Sequence, residues 1–180
     1  MGSQGARYSL ACALTVLALN VVPAPCSAAD EEQAIPIANF DKVSQGLWRG
    51  SAPSDDGLRK LADNGVKTVI DLRMSGKGTE KESLLAKKLG LRYIHIPMNY
   101  LSPSIAKIKD FLKIVTNEHY QPVFIHCRQG ADRTGTLIGI YRVLVQRWTF
   151  EEAYFEMRMH HFKPWLSNLK RTVAELSESG

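Results

Sequence analysis

The residues best suited to chemistry lie in one stretch, His126-Cys127-Arg128-Gln129-Gly130-Ala131-Asp132-Arg133-Thr134-Gly135-Thr136. The apolar run Pro122-Val123-Phe124-Ile125-His126 leads into it as a buried strand, and a long apolar helix, Thr134 to Gln146, leads out. A turn of this length can wrap its backbone N–H groups around a tetrahedral oxyanion, and the helix N-terminus adds its positive end to the same point. Cys127 sits at the base of that cradle, where such a field holds the sulfur as thiolate at neutral pH. Arg133 comes back to face the same anion, and its planar fork can hold two oxygens where lysine supplies only a charge. The implied chemistry is nucleophilic transfer of a phosphoryl-like group to sulfur. Gly130 and Gly135 allow tight turning and close backbone approach. Arg128, Gln129, Gly130, Ala131, Asp132 and Arg133 line the candidate substrate site; the side chains of Arg128 and Gln129 are expected to point outward. Thr134 is placed to donate its hydroxyl to the thiolate, making sulfur a better leaving group. His126 is expected to be buried behind the cysteine, ordering the loop.

The rest of the chain must position that loop. Leu47-Trp48-Arg49 is a short strand, and Ser54 caps a helix running to Gly65 with Asp55 and Asp56 in its first turn. Val66 to Leu72 is β-branched and buried, Met74 to Thr79 is a loop, and Leu84, Leu85 and Leu89 mark a helix ending at Gly90. Leu91 to Pro97 alternates as a strand does, and Ser104 to Thr116 reads as a helix. Thr149 with Glu152 forms a capping box, and a last helix runs from Pro164 to Glu175. Trp148 and Trp165 are read as core or packing anchors. Strands alternating with helices imply an α/β three-layer sandwich, with a mainly parallel central sheet and helices on both faces. Ligands in such folds sit at the carboxyl ends of the strands, where His126-Cys127 lies.

Composition narrows the functional class. The 180 residues are 44% hydrophobic and 23% charged, as expected for one globular domain. A net charge of +5 suits an anionic ligand, but Lys and Arg are scattered, which argues against nucleic acid. Residues 1–29 read as a signal peptide: Arg7, the mostly apolar run Leu10 to Val22, then small residues ending in Ala28-Ala29. The apolar run is short for a membrane span, so stable insertion is not expected after cleavage. An uncleaved anchor is the alternative. Cleavage would remove Cys12 and Cys26, leaving Cys127 alone, and lower the net charge to about +4. The expected location is periplasmic or secreted. Residues 30–39 are read as a loose arm and 40–180 as the domain.

Cysteine, five residues, arginine, threonine, with histidine in front, resembles the signature of protein tyrosine and dual-specificity phosphatases. Leu47-Trp48-Arg49-Gly50-Ser51-Ala52-Pro53-Ser54, Lys67 to Arg73, and Tyr141-Arg142-Val143 with Gln146 and Trp148 are similar to the small bacterial and fungal-type dual-specificity branch. The resemblance implies a phosphocysteine intermediate on Cys127, Arg133 as a catalytic residue, and no metal or cofactor. It also implies an aspartate on a separate loop upstream, to protonate the leaving oxygen. That loop should be Met98 to Ser104, and it holds no carboxylate. A phenolate then leaves more easily than an alkoxide, which leans toward phosphotyrosine over phosphoserine or toward an acid from elsewhere; the expected partner is a phosphotyrosine-containing protein or another phosphomonoester substrate.

Asp132 is the candidate substitute acid, its spacing from Cys127 resembling the loop of myotubularin-like and Sac-like phosphoinositide phosphatases. The alternative is that Asp132 braces the loop or faces solvent. Asp110 is a more remote acid, and Asp71 reads as a strand-end acceptor. Arg49 and Arg73 are read as structural pairing partners rather than pocket charges, and adjacent His160 and His161 make a poor metal pair. The rival readings are an inositol phosphate phosphatase, a phosphate-binding pseudoenzyme and a sulfurtransferase. Arg133-Thr134-Gly135 fits phosphate better than the last.

Overall fold

Alternating apolar residues place the sheet between two cores. Leu47, Ile70, Val123 and Ile125 point to one face, while Trp48, Val69 and Phe124 point to the other. The computed structural model describes residues 1–2 and 34–179. The expected signal segment, apart from Met1 and Gly2, lies outside the described residues, as do Cys12 and Cys26.

The strands are β1 (Asp41–Ser44), β2 (Leu47–Ser51), β3 (Thr68–Asp71), β4 (Arg92–His95) and β5 (Val123–Cys127), in the order β1-β2-β5-β3-β4. All neighbours are parallel except β1, which pairs antiparallel with β2. Helices α1 (Asp55–Asp63) and α2 (Lys77–Lys88) cover the Phe124 face. Helices α3 (Ile105–Val115), α4 (Asp132–Val145), α5 (Phe150–Met159) and α6 (Ser167–Glu178) cover the other. The three-layer α/β sandwich with a mainly parallel sheet is the arrangement expected from the sequence. β5, buried along its whole length between β2 and β3, delivers Cys127 to the carboxyl edge of the sheet.

Several boundaries differ from the sequence reading. The arm is not loose over its second half: Ile37 is buried in the Phe124-side core, and Ser51 donates its N–H to Ala38 O at 2.8 Å. Residues from Ala34 onward cluster as one compact unit. Strand β1 carries a single buried apolar residue, Val43, too little to announce a strand. α2 begins at Lys77 because the Thr79 hydroxyl accepts from Gly76 N and donates to Gly76 O, a cap that extends the helix back through the expected loop. Leu84 is exposed on it. Trp165 is 72% exposed and is no core anchor, since α6 starts only at Ser167. Trp148 is half-buried, with the Arg142 guanidinium 4.2 Å from its ring centroid.

Candidate active site

The loop between β5 and α4 owes its shape to donors that lie mostly outside it. The Cys127 carbonyl accepts from His126 Nδ1 at 3.2 Å and that of Arg128 from Ala52 N at 3.3 Å. The Gln129 carbonyl accepts from Asn39 Nδ2 at 3.3 Å and that of Gly130 from Arg49 Nη2 at 2.8 Å. Consecutive carbonyls are thus drawn outward, which turns the amides between them inward toward one point. The segment Leu47 to Ser54 therefore works as the loop's outer frame. Gly130 has φ +69°, and a Cβ there would stand 2.4 Å from both the carbonyl carbon and oxygen of Gly50. Gly130→Ala combines left-handed strain of roughly 1–3 kcal/mol with a backbone clash. It is expected to lower the melting temperature and reduce phosphate release at least tenfold, as checked by thermal denaturation and turnover on the same preparation.

Cys127 is 2% exposed at the bottom of the cradle. Burial pushes its thiol pKa up, but the Thr134 hydroxyl, the Thr134 and Gln129 amides and the Arg133 charge together outweigh this and hold it below the ordinary value. Among the described residues the buried Thr134 hydroxyl has no other hydrogen-bond partner, leaving sulfur as its acceptor. The thiolate form therefore persists below the pH, about 8.5, at which an ordinary cysteine is half protonated. Iodoacetamide alkylation of Cys127 is expected to stay fast through that pH and to fall only at lower pH. A rate that halves near the ordinary thiol pKa would show that the cradle does not stabilise the anion.

Arg133, in the first turn of α4, is buried. Its Nη1 donates to Met98 O at 3.2 Å and, more weakly, to Leu72 O at 3.4 Å. The Tyr100 ring covers the guanidinium, 5.2 Å from centroid to Cζ. Tyr100 is 48% exposed on the Met98 to Ser104 loop, where a carboxylate was sought and none stands. Arg128 and Gln129 are exposed at the rim, Gly130 and Ala131 are buried in the loop, and Asp110 is exposed on α3.

Asp132 is 3% exposed. Its Oδ1 accepts from Lys163 N at 3.0 Å, and Oδ2 lies 3.6 Å from Lys163 Nζ. Both oxygens engage the segment joining α5 to α6, the bracing arrangement weighed above against the acid. His160 and His161 diverge: His160 bonds Asn39 Oδ1 through Nδ1 and lies 3.2 Å from Asp41 through Nε2, while His161 is exposed.

Behind the cysteine lies a buried ionic cluster. His126 stacks on Phe124 at 5.6 Å, and its Nε2 lies 2.8 Å from Glu82 Oε1, though not aligned as a hydrogen bond. Arg73 Nη2 bridges Asp71 Oδ2 and Glu82 Oε2, each at 2.6 Å. Asp71 also accepts from Tyr93 OH at 2.6 Å. Burial raises the Asp71 pKa, but the bonds from Arg73, the His126 charge and the Tyr93 hydroxyl outweigh it and bring the carboxyl to about 2. Asp71, Glu82 and His126 have ligand-type atoms within 4.8 Å of one another, but the Arg73 guanidinium already bridges the two carboxylates. Arg73 is thus a structural partner, as read from the sequence. Glu82 was missed. Its place in the buried stripe Thr79-Glu82-Ala86 on α2 was the available signal.

With this geometry in place, the comparisons with known proteins are specific. The family model described as the dual-specificity (DSP-PTPase) phosphatase fused to NAD+ kinase matches residues 22–174. The chain belongs to this phosphatase family. The chain is 28% identical over 106 residues to the chloroplastic NAD kinase 2 of Arabidopsis thaliana, a match covering 56% of this chain and 11% of that protein. It is 26% identical over 140 residues to the dual specificity protein phosphatase TpbA of Pseudomonas aeruginosa, covering 77% of this chain and 62% of TpbA. The fold matches the core catalytic domain of the PP-IP phosphatase SIW14 from Saccharomyces cerevisiae with a TM-score of 0.67 at 24% identity, over 81% of this chain and 93% of that one. The family phosphatase is a phosphoester hydrolase, and the fold is that of these neighbours.

Proposed function

We propose that the domain hydrolyses aryl phosphomonoesters, phosphotyrosine in proteins above all, through a phosphocysteine on Cys127. The observation that carries this reading is the buried sulfur at the focus of inward-turned amides, with its pKa held down and the Arg133 fork beside it. In the first step the Cys127 thiolate attacks phosphorus. The S–P bond forms as the P–O bond to the leaving phenolate breaks, and the phenolate takes a proton. In the second step water attacks phosphorus, the S–P bond breaks with its electron pair returning to sulfur, and phosphate and a proton leave. Thr134 stabilises the departing thiolate. Arg133 and the loop amides hold the charge that spreads over the equatorial oxygens. His126 orders the loop through the Cys127 carbonyl.

The absence of a carboxylate from the Met98 to Ser104 loop supports the choice of an aryl leaving group. The inositol phosphate reading is favoured by the sequence relatives named as inositol diphosphatases, DSP2 of Oryza sativa and SIW14 of Saccharomyces cerevisiae among them, and by the fold shared with the SIW14 core. Phosphate release from a phosphotyrosine peptide, a phosphoserine peptide and an inositol polyphosphate, without added metal, separates the two. Strongest Cys127-dependent turnover on phosphotyrosine supports the main reading, preference for the inositol substrate replaces it, and no turnover points to a phosphate-binding protein. Thiosulfate turnover alone would make it a sulfurtransferase.

Asp132 serves in this proposal as a brace for the Lys163 segment, with the acid role as its alternative. Asp132→Asn is expected to lower turnover of a nitrophenyl ester and of an alkyl phosphate by similar factors. A loss confined to the alkyl substrate, about 10²-fold or more, would assign the proton to Asp132. We further propose that the domain acts after export, on the pattern of Arg7, Leu10 to Val22 and Ala28-Ala29. N-terminal sequencing of the mature protein tests this, with cleavage after Ala28 or Ala29 expected.

A further inference from the structure

Arg49 is fully buried on β2, paired in register with Ile125 of β5. Its side chain runs beneath the first turn of α4, where Nη2 lies 3.8 Å from the position of a Cβ on Gly135. A guanidinium carries five N–H donors, and among the described residues only one bond from this side chain meets an acceptor, Nη2 to Gly130 O at 2.8 Å. Nε and Nη1 are buried without a hydrogen-bond partner among the described residues. Among the described residues, none of the salt bridges involves Arg49. A buried cation left this far from pairing costs several kcal/mol. An apolar side chain of similar volume would fill the space without that cost. It would not offer Gly130 O a donor, nor place a positive charge behind the loop.

We infer that Arg49 is a positioning residue for the phosphoryl transfer: from outside the loop it holds the Gly130 carbonyl out of the cradle and sets a fixed positive charge behind Cys127. This rests on the phosphatase reading above. Arginine suits the place where lysine would not. Burial lowers the Arg49 pKa to about 10, with Glu156, Asp41 and Cys127 partly opposing it, so the guanidinium stays charged at neutral pH. A lysine with a lower starting pKa would lose its proton more readily on burial. The other charged or titratable groups facing this pair are Arg133 and Arg142 of α4, His126 of β5, Glu156 of α5, Asp41 of β1 and His160 after α5. All are kept in the variants that test the idea.

Arg49→Met removes charge and donor, whereas Arg49→Gln removes the charge and keeps a donor. The midpoint of the pH dependence of iodoacetamide alkylation reads the thiolate directly, beside kcat, KM and a thermal melt. Both variants are expected to raise the midpoint by about one pH unit. Arg49→Met should also lose about tenfold in kcat or more, with a smaller change in KM, and Arg49→Gln should recover part of that loss. Should Arg49→Met fail to fold, the midpoint of Arg49→Gln decides. An unmoved midpoint in a folded variant, or loss of folding in both, overturns the inference and leaves Arg49 a structural residue. A wild-type protein with a low thiol midpoint but no phosphate release would instead sink the phosphatase reading and leave the Arg49 test standing.

Discussion

Cys127→Ser is expected to abolish phosphate release, by at least about 10³-fold, while leaving phosphate binding intact. The cradle is built for an anion that forms without a base. Thr134 and the Gln129 and Thr134 amides stabilise charge on the sulfur, and Arg133 adds to them. None of these groups can take a proton from a serine hydroxyl, whose pKa lies far above that of a thiol. His126 cannot serve either, because its Nδ1 is turned to the Cys127 carbonyl and its Nε2 to Glu82. The carbonyl ties that turn the loop amides inward come from Asn39, Arg49 and Ala52 and do not involve the sulfur. The serine protein should therefore bind inorganic phosphate with unchanged affinity by calorimetry, and it should trap a phosphotyrosine peptide. Acid quenching of the wild-type reaction should capture phosphate on the chain, and the serine protein should capture none. Residual turnover above a tenth of wild type would remove Cys127 from the chemistry.

The part of this site that is local in sequence was legible, and the part that is not was missed. Residues His126 to Thr134 form strand end, turn and helix start within one short segment, so residue types alone dictate a cradle. The outer frame is different. Asn39 reaches Gln129 across 90 residues, steadied by His160, and Arg49 reaches Gly130 across 81 through the β2–β5 pairing. A sequence window cannot hold that contact. Glu82 failed for a related reason: a carboxylate on a buried helix stripe acquires its role only once Arg73 and His126 are seen beside it. Trp165 shows the opposite error. Its size suggested core, yet the chain reaches α6 only at Ser167 and leaves the indole exposed. The parallel sheet was legible because short strand-like runs, β-branched in β3 and β5, are separated by amphipathic helices, a pattern that few folds satisfy.

Arg133→Lys is expected to lower kcat by about 10²–10³-fold while raising KM far less, because the two side chains share a charge but not a geometry. The guanidinium is held by Met98 O, more weakly by Leu72 O, and beneath the Tyr100 ring. That grip fixes the plane of the fork before any substrate arrives, so its remaining N–H groups can meet two equatorial oxygens together as charge moves onto them. An ammonium attracts the ground-state dianion about as well, which preserves binding. It has no plane to align, and its three N–H groups cannot serve the Leu72 and Met98 carbonyls and two phosphoryl oxygens at once. One buried carbonyl is then left without its donor, at a cost of roughly 1 kcal/mol in stability. The melting temperature should fall slightly while kcat falls steeply, and steady-state kinetics beside thermal denaturation separate the two. If KM rises and kcat holds, Arg133 grips the substrate no more tightly in the transition state than before it, and the loop amides alone carry the developing charge.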